Sequence, residues 1–267
     1  MTILSKVVFI TDADSESGKA ILHNLSKEGA NFILNSRSSG KSIQLELEQC
    51  HTAGSKTVVI NVDLCSRPEL AEAIEQAAQQ LGTIDVMIHN NNLIKLTSIE
   101  FGEEDVFFDV LNENTKTAFV CTQVVGKQMI AQQSGRIIYV SSIHAEKPTG
   151  SSFAYSASKG AVKMLASEAT LFLGRHGITV NSIEMGPVEG DNAALESTFS
   201  TLYESYQYKV PNAILGTHED LAALILYIAS DESRYLNGAA IRLDGGFLNH
   251  YMDFRMKKPA DLEGGTP

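Results

Sequence analysis

A phenol and an ammonium one helical turn apart can exchange protons with a bound oxygen, and Tyr155-Ser156-Ala157-Ser158-Lys159 places such a pair at the start of a helical stretch. Positions four apart share one face of a helix. A cation there lowers a phenol's pKa from about 10 toward working pH, which makes Tyr155 a usable acid or base. The spacing alone recurs by chance on exposed helices, so its weight depends on context. Thirteen positions before Tyr155, Ser141-Ser142 closes a β-branched run, and parallel α/β folds bind ligands beyond the carboxyl ends of their strands. A hydroxyl at Ser142 can hydrogen-bond a substrate carbonyl; alone, it reads more readily as a strand-ending turn residue.

The elements that must position these groups can be read from the apolar pattern. Residues 6–10, 31–34, 57–61, 84–88, 136–140 and 179–183 read as strands, and their apolar character without alternation suits a sheet covered on both faces. Helical spacing occupies residues 19–27, 42–52, 68–80, 103–132 and 154–175. A last strand at 239–243 precedes the turn signal Asp244-Gly245-Gly246. Repetition at this pitch predicts right-handed crossovers and one doubly wound, Rossmann-type α/β domain with about seven parallel strands over residues 1–250. Residues 251–267 read as a partly flexible tail. The stretch Glu189–Pro211, which carries Phe199, Tyr203, Tyr206 and Tyr208, reads as a helical excursion or a lid, and the aromatic stretch Phe199–Tyr208 within it points to an apolar or ring-bearing ligand.

Composition removes several classes of function. The formal charge of −11 with no basic stripe excludes a nucleic-acid partner and an anionic membrane surface. No long apolar run or export signal appears, so a cytoplasmic protein is expected. Cys50, Cys65 and Cys121 lack metal-ligand spacing and read as reduced, mostly buried thiols; no metal is expected. His89 and His144 flank the presumed site and read as ordinary cleft residues rather than catalysts.

With these motifs in order, the chain resembles the short-chain dehydrogenase/reductase family from about Lys6 to Phe247. Ile84-Asp85-Val86-Met87-Ile88-His89-Asn90-Asn91-Asn92 is similar to the family's strand ending in Asn-Asn-Ala-Gly. Asn114, Val180-Asn181-Ser182-Ile183 and Leu243-Asp244-Gly245-Gly246 match later signatures. The resemblance implies a catalytic tetrad. Tyr155 would carry the hydroxyl proton, and Lys159 would tune it and hold the nicotinamide ribose. Ser142 would orient the carbonyl, and Asn114 would support a water leading to Lys159. It also implies cofactor contacts at Thr11, Ser17, Gly18, Arg37, Asp63, Asn90 and Lys159, a small-molecule substrate, and a homodimer or homotetramer built on two long helices. Arg37 resembles a receptor for an adenosine 2′-phosphate, and Ser36 sits where NAD-preferring members carry an acid, so NADP is the expected cofactor. Asp63 reads either as an adenine contact or as a helix N-cap ahead of Pro68.

The pattern breaks in the first turn. Where the family has Thr-Gly-x-x-x-Gly-x-Gly, this chain has Thr11-Asp12-Ala13-Asp14-Ser15-Glu16-Ser17-Gly18, so one glycine of three remains. Two unit charges ~4 Å apart at an effective dielectric of about 20 interact by ~4 kcal/mol, which predicts weakened phosphate binding. A carboxylate of Asp14 or Glu16 could instead fold onto the N–H groups of the following helix. Asn91, Asn92, Met185 and Gly190 are further departures along the cofactor track. Two readings follow: a carbonyl/alcohol oxidoreductase with weakened NADP(H) binding, or a non-redox family member such as a sensor or pseudoenzyme with an empty dinucleotide site. Halohydrin dehalogenases also lack the glycine loop, but they carry Arg where this chain has Lys159.

Overall fold

The computed structural model describes residues 3–100, 102–189, 210–212 and 214–249. The aromatic stretch and the tail lie outside these residues, as does Gly190. Seven parallel strands form one sheet in the order β3-β2-β1-β4-β5-β6-β7. They are β1 (Val7–Ile10), β2 (Asn31–Asn35), β3 (Thr57–Ile60), β4 (Val86–His89), β5 (Gly135–Ser142), β6 (Ile178–Met185) and β7 (Ala240–Leu243). Strand order reverses between β1 and β4, which opens a crevice at their carboxyl ends, the usual ligand position in such sheets.

Side chains that alternate along each strand build two cores. Val8 and Ile10 pack with Phe32 and Leu34 against Ile21, Leu22 and Leu25 of α1 (Glu16–Ser26) and Leu221, Ile225 and Ile228 of α7 (His218–Ala229). Val7 and Phe9 point to the opposite face, toward α3 (Arg67–Leu81), α5 (Thr117–Gln132) and α6 (Phe153–Leu173). There Leu70, Ile74, Val125, Met129 and Val162 meet Met87, Ile137 and Tyr139. Each fully buried aliphatic side chain contributes roughly 1.5–3 kcal/mol, so two such layers supply the main stabilising contribution. The short α2 (Gln44–Thr52) covers the sheet beyond α1.

Three differences from the sequence reading bear on the site. The predicted strand 136–140 runs on through Ser141 and Ser142, which pair with Glu184 and Met185 of β6. The predicted helix 103–132 is α4 (Glu104–Leu111), a five-residue π turn at Asn112–Lys116, and then α5. A π turn inserts one residue into the helix and rotates its neighbours, and such turns recur at functional sites. Helix α7 was not expected; Thr217 and Asp220 form a capping box at its start.

Candidate active site

Helix α6 begins beside the end of β5 and carries Tyr155 in its first turn and Lys159 in its second. Both are buried, and the ammonium of Lys159 lies 5.6 Å from the centroid of the Tyr155 ring. Lys159 Nζ donates to the Asn91 carbonyl at 3.1 Å and the Val140 carbonyl at 3.4 Å. Tyr155 donates its hydroxyl proton to Asn92 Oδ1 at 2.9 Å. Ser142 ends β5 on the same cleft, its Oγ accepting from the His144 N–H at 3.2 Å. Asn114 lies in the π turn, fully buried, and its side chain is spent on protein: Oδ1 accepts from Leu93 N, while Nδ2 donates to Leu93 O and Ser158 Oγ. Any water held for Lys159 would therefore rest on the main chain of this turn. Below Lys159, Lys163 bridges Glu146 at 2.5 Å and buried Glu184 at 2.8 Å, which ties α6 to β6. Burial pushes the Glu184 carboxyl up, whereas the bond from Lys163 holds Glu146 below its ordinary value.

Three consecutive asparagines follow β4, and each has a different task. Asn90, expected to contact cofactor, is taken up by the first turn: Oδ1 accepts from Asp12 N at 2.9 Å, and Nδ2 donates to Asp12 O at 2.7 Å, Ser15 Oγ at 3.1 Å and Ser17 Oγ at 3.2 Å. Thr11 Oγ1 accepts from Asn90 N at 3.1 Å. Asn91 donates to Glu113 at 2.7 Å. Asn92 holds the phenol. In the sequence, Asn91 and Asn92 register only as departures from Ala-Gly; two added amide groups just past a strand end were the available signal.

The first turn keeps its backbone path despite its acids. A Cβ on Gly18 would stand 2.2 Å from the Asp12 carbonyl, so no other residue fits where the chain crosses itself. Ser15 caps α1 through Gly18 N at 3.1 Å. The alternative folding of Asp14 or Glu16 onto the helix end does not occur, because the Ser15 hydroxyl takes that place. Glu16 turns to the surface and pairs with Lys19 at 2.7 Å. Asp14 turns toward the loop after β2, where hydroxyls hold it. Asp12 is half-buried on the cleft, and the exposed Glu16 lines its rim. Burial pushes its carboxyl above the ordinary 3.8, with Arg37 pulling in the opposite sense.

The remaining candidates divide. Arg37 is exposed and paired with Glu113. Asp63 is exposed and accepts from Cys65 N at 2.8 Å in a turn; Ser66, not Asp63, stands at the N-cap of α3, which corrects the N-cap reading. His89 is buried and bonded to Thr117, and burial with Lys159 nearby depresses it to about 3, so it stays neutral. His144 Nδ1 lies 2.7 Å from the Lys147 carbonyl, and its ring meets the edge of Tyr155 with centroids 6.1 Å apart. Cys50 and Cys121 are buried and Cys65 is half-buried.

Asp12, Ser15, Ser17, Asn92, Ser142 and Tyr155 share a cleft of about 270 Å³ with Gly186 on its far wall. A Cβ on Gly186 would come within 2.6 Å of Asp244, so glycine leaves that wall as bare backbone. Ligand pockets usually span ~300–1,000 Å³, so this cleft suits one end of a dinucleotide, not the whole. Its hydroxyl donors, with Lys159 behind them, fit the nicotinamide and its ribose, and among the described residues of the cleft Asp12 is the carboxylate that opposes a phosphate with no cation bonded to it, Glu16 being paired with Lys19. A larger apolar concavity of about 1010 Å³ lies away from this chemistry, between α3, α5 and α6, lined by Phe119, Leu165 and Phe172. Among the described residues, no metal-binding group and no helix long and apolar enough to cross a membrane occurs.

Comparisons with known proteins agree with this geometry. The family profile described as enoyl-(acyl carrier protein) reductase matches residues 13–248. The 3-oxoacyl-(acyl carrier protein) reductase FabG of Staphylococcus epidermidis is 29% identical over 245 residues, covering 91% of this chain and 99% of the relative. The 5-keto-D-gluconate 5-reductase of Escherichia coli is 28% identical, covering 92% of this chain and 97% of its own length. The crystal structure of levodione reductase superimposes with a TM-score of 0.87 at 22% identity, covering 93% of this chain and 99% of that one, a likeness of fold. The strand order and the matched span agree: this chain belongs to the short-chain dehydrogenase/reductase family of NAD(P)-dependent oxidoreductases.

Proposed function

We propose that the chain interconverts a carbonyl and an alcohol on a small molecule, using NAD(P)(H) and the Tyr155, Lys159, Ser142 and Asn114 tetrad. The observation that carries this reading is the convergence of Tyr155 and Ser142 on one cleft with Lys159 buried behind the phenol. The dinucleotide, when bound, supplies or accepts the hydride. Tyr155 donates its proton to the carbonyl oxygen as the alcohol forms, and it takes that proton back in the reverse direction. Its bond to Asn92 keeps the proton directed into the cleft until a substrate oxygen replaces Asn92 as acceptor. Ser142 Oγ orients that oxygen, and the ammonium of Lys159 favours the phenolate left behind. Ser15 and Ser17, which border the cleft, would hold the phosphates, and Lys159 would hold the nicotinamide ribose. Asn114 fixes the start of α6 through Ser158.

The competing reading, a non-redox member with an empty dinucleotide site, is favoured by Asp12 on the cleft wall and by the cleft's small volume. Titration with NADH and NADPH, followed by nucleotide fluorescence and melting temperature, decides between them. Saturable binding is expected, with ~2.7 kcal/mol of added stability at 100 times the dissociation constant. No response at millimolar nucleotide overturns the oxidoreductase reading.

Assembly and location belong to the same proposal. Phe119 and Phe172 are 47% and 60% exposed on the apolar concavity of α5 and α6, an arrangement that supports a homodimer or homotetramer through this face. Phe172→Glu is expected to yield smaller species in light scattering; an unchanged mass removes this interface. A cytoplasmic location is proposed on the basis of the reduced thiols.

A further inference from the structure

The middle acid of the first turn leaves the cleft and enters a nest of hydroxyls at the end of β2. Asp14 Oδ1 accepts from Ser36 Oγ at 2.8 Å, Ser38 Oγ at 2.9 Å and Ser42 Oγ at 2.5 Å. Its Oδ2 accepts from Ser38 N at 3.0 Å. The Ser38 and Ser42 hydroxyl oxygens lie 3.0 Å apart. These donors follow β2, the strand whose carboxyl end meets the adenosine ribose in doubly wound folds: an acid there binds the 2′-hydroxyl, and a nearby Arg accommodates a 2′-phosphate. Here the strand itself supplies no acid, since Asn35 and Ser36 stand at its end. The carboxylate arrives instead from the β1–α1 loop, 22 residues earlier in the chain. Arg37, the cation that could take a 2′-phosphate, is paired with Glu113, whose Oε1 also accepts from Asn91.

We propose that Asp14 is the cofactor-discriminating residue: it fills the hydroxyl nest with a fixed negative charge, binds an unphosphorylated adenosine ribose and excludes a 2′-phosphate, so that the chain takes NAD(H) over NADP(H). This rests on the oxidoreductase reading, and it reverses the choice that Arg37 and Ser36 suggest in the sequence. Oδ2 receives one described hydrogen bond and, as a carboxylate oxygen, can accept a second from a ribose hydroxyl. Burial works to raise the Asp14 carboxyl, but its serine and backbone donors together hold it below 3.8, so it remains charged at neutral pH. A 2′-phosphate would need the same hydroxyl donors and would meet that charge at close range.

The test measures NADH and NADPH dissociation constants by nucleotide fluorescence on the wild-type chain, Asp14→Asn and Asp14→Ser, with adenosine 2′,5′-bisphosphate and ADP as competitors. Asn keeps the shape of the staple between the two loops and removes the charge; Ser removes both. The wild type is expected to prefer NADH on the order of a hundredfold. Both variants are expected to bring NADPH to within about tenfold of NADH, chiefly by strengthening NADPH. Equal or tighter NADPH binding by the wild type overturns the proposal. An unchanged ratio in both variants, with cooperative melting retained, also overturns it and leaves Asp14 as a loop staple. Failure of every protein to bind either nucleotide or either competitor overturns the oxidoreductase reading, and this proposal with it.

Discussion

Helices α6 and α1 both turn their first residues toward one cleft, yet the first carries Tyr155 and Lys159 in their expected places while the second opens on Ser15, Glu16 and Ser17 behind a half-buried Asp12. On the proposed mechanism α6 is constrained by chemistry, because proton transfer needs a phenol and an ammonium at fixed points. The first turn is constrained by the path of its backbone. That path persists because Gly18 still occupies the crossing, Ser15 caps the helix and Asn90 binds the loop from β4. Side chains around a preserved path can change sign of charge if each finds a partner. Glu16 has Lys19 and Asp14 has three serines.

The contrast can be broken or sharpened by substitution. Tyr155→Phe is expected to lower kcat roughly a thousandfold with nucleotide binding retained, since it deletes the acid and leaves the fold; steady-state kinetics that change less than tenfold would remove Tyr155 from the chemistry. Gly18→Ala forces a contact with the Asp12 carbonyl and is expected to destabilise the chain by about 2–4 kcal/mol in urea unfolding, mostly through loop strain. A near-neutral result would mean that the crossing relaxes freely. Asn90→Ala leaves Asp12 N and O and two serine hydroxyls without their partner, a loss of about 2 kcal/mol by the same measurement. Its effect on nucleotide affinity should exceed its effect on kcat, opposite to Tyr155→Phe.

The smallest expected effect is at Asp12. Burial raises this carboxyl, so as pH falls from neutral toward its raised value the group gains a proton and the loop loses a negative charge. Dinucleotide binding should therefore strengthen as pH falls in the wild type. Asp12→Asn should bind a few-fold more tightly at pH 7 and lose that slope. Parallel pH profiles for the two proteins would show that Asp12 does not oppose the phosphates.

Much of this was readable from residue types. Strands with continuous apolar character announced a sheet covered on both faces; of the proposed site residues, Ser142 ends β5, Tyr155 and Lys159 lie on α6, and Asn114 sits in the turn before α5. The π turn was hidden because one inserted residue barely disturbs an apolar pattern read over 30 positions. Helix α7 was missed for the opposite reason: Leu221–Ala229 is apolar almost throughout, so it has no helical period, and only Thr217 and Asp220 marked its start. The direction of Asp14 was not local information either. It depends on hydroxyls 22 to 28 residues further along, which compete for the carboxylate only once β1 and β2 lie side by side.

The run of asparagines after β4 also makes the two helices mechanically dependent. Asn90 grips the first turn, the Asn91 carbonyl anchors the Lys159 ammonium, and Asn92 holds the Tyr155 hydroxyl. These three peptide units span only about 10 Å of extended chain. A molecule that levers the turn outward pulls on the same tether that sets the height of the phenol. On the proposed mechanism, loading and proton delivery therefore share one linkage.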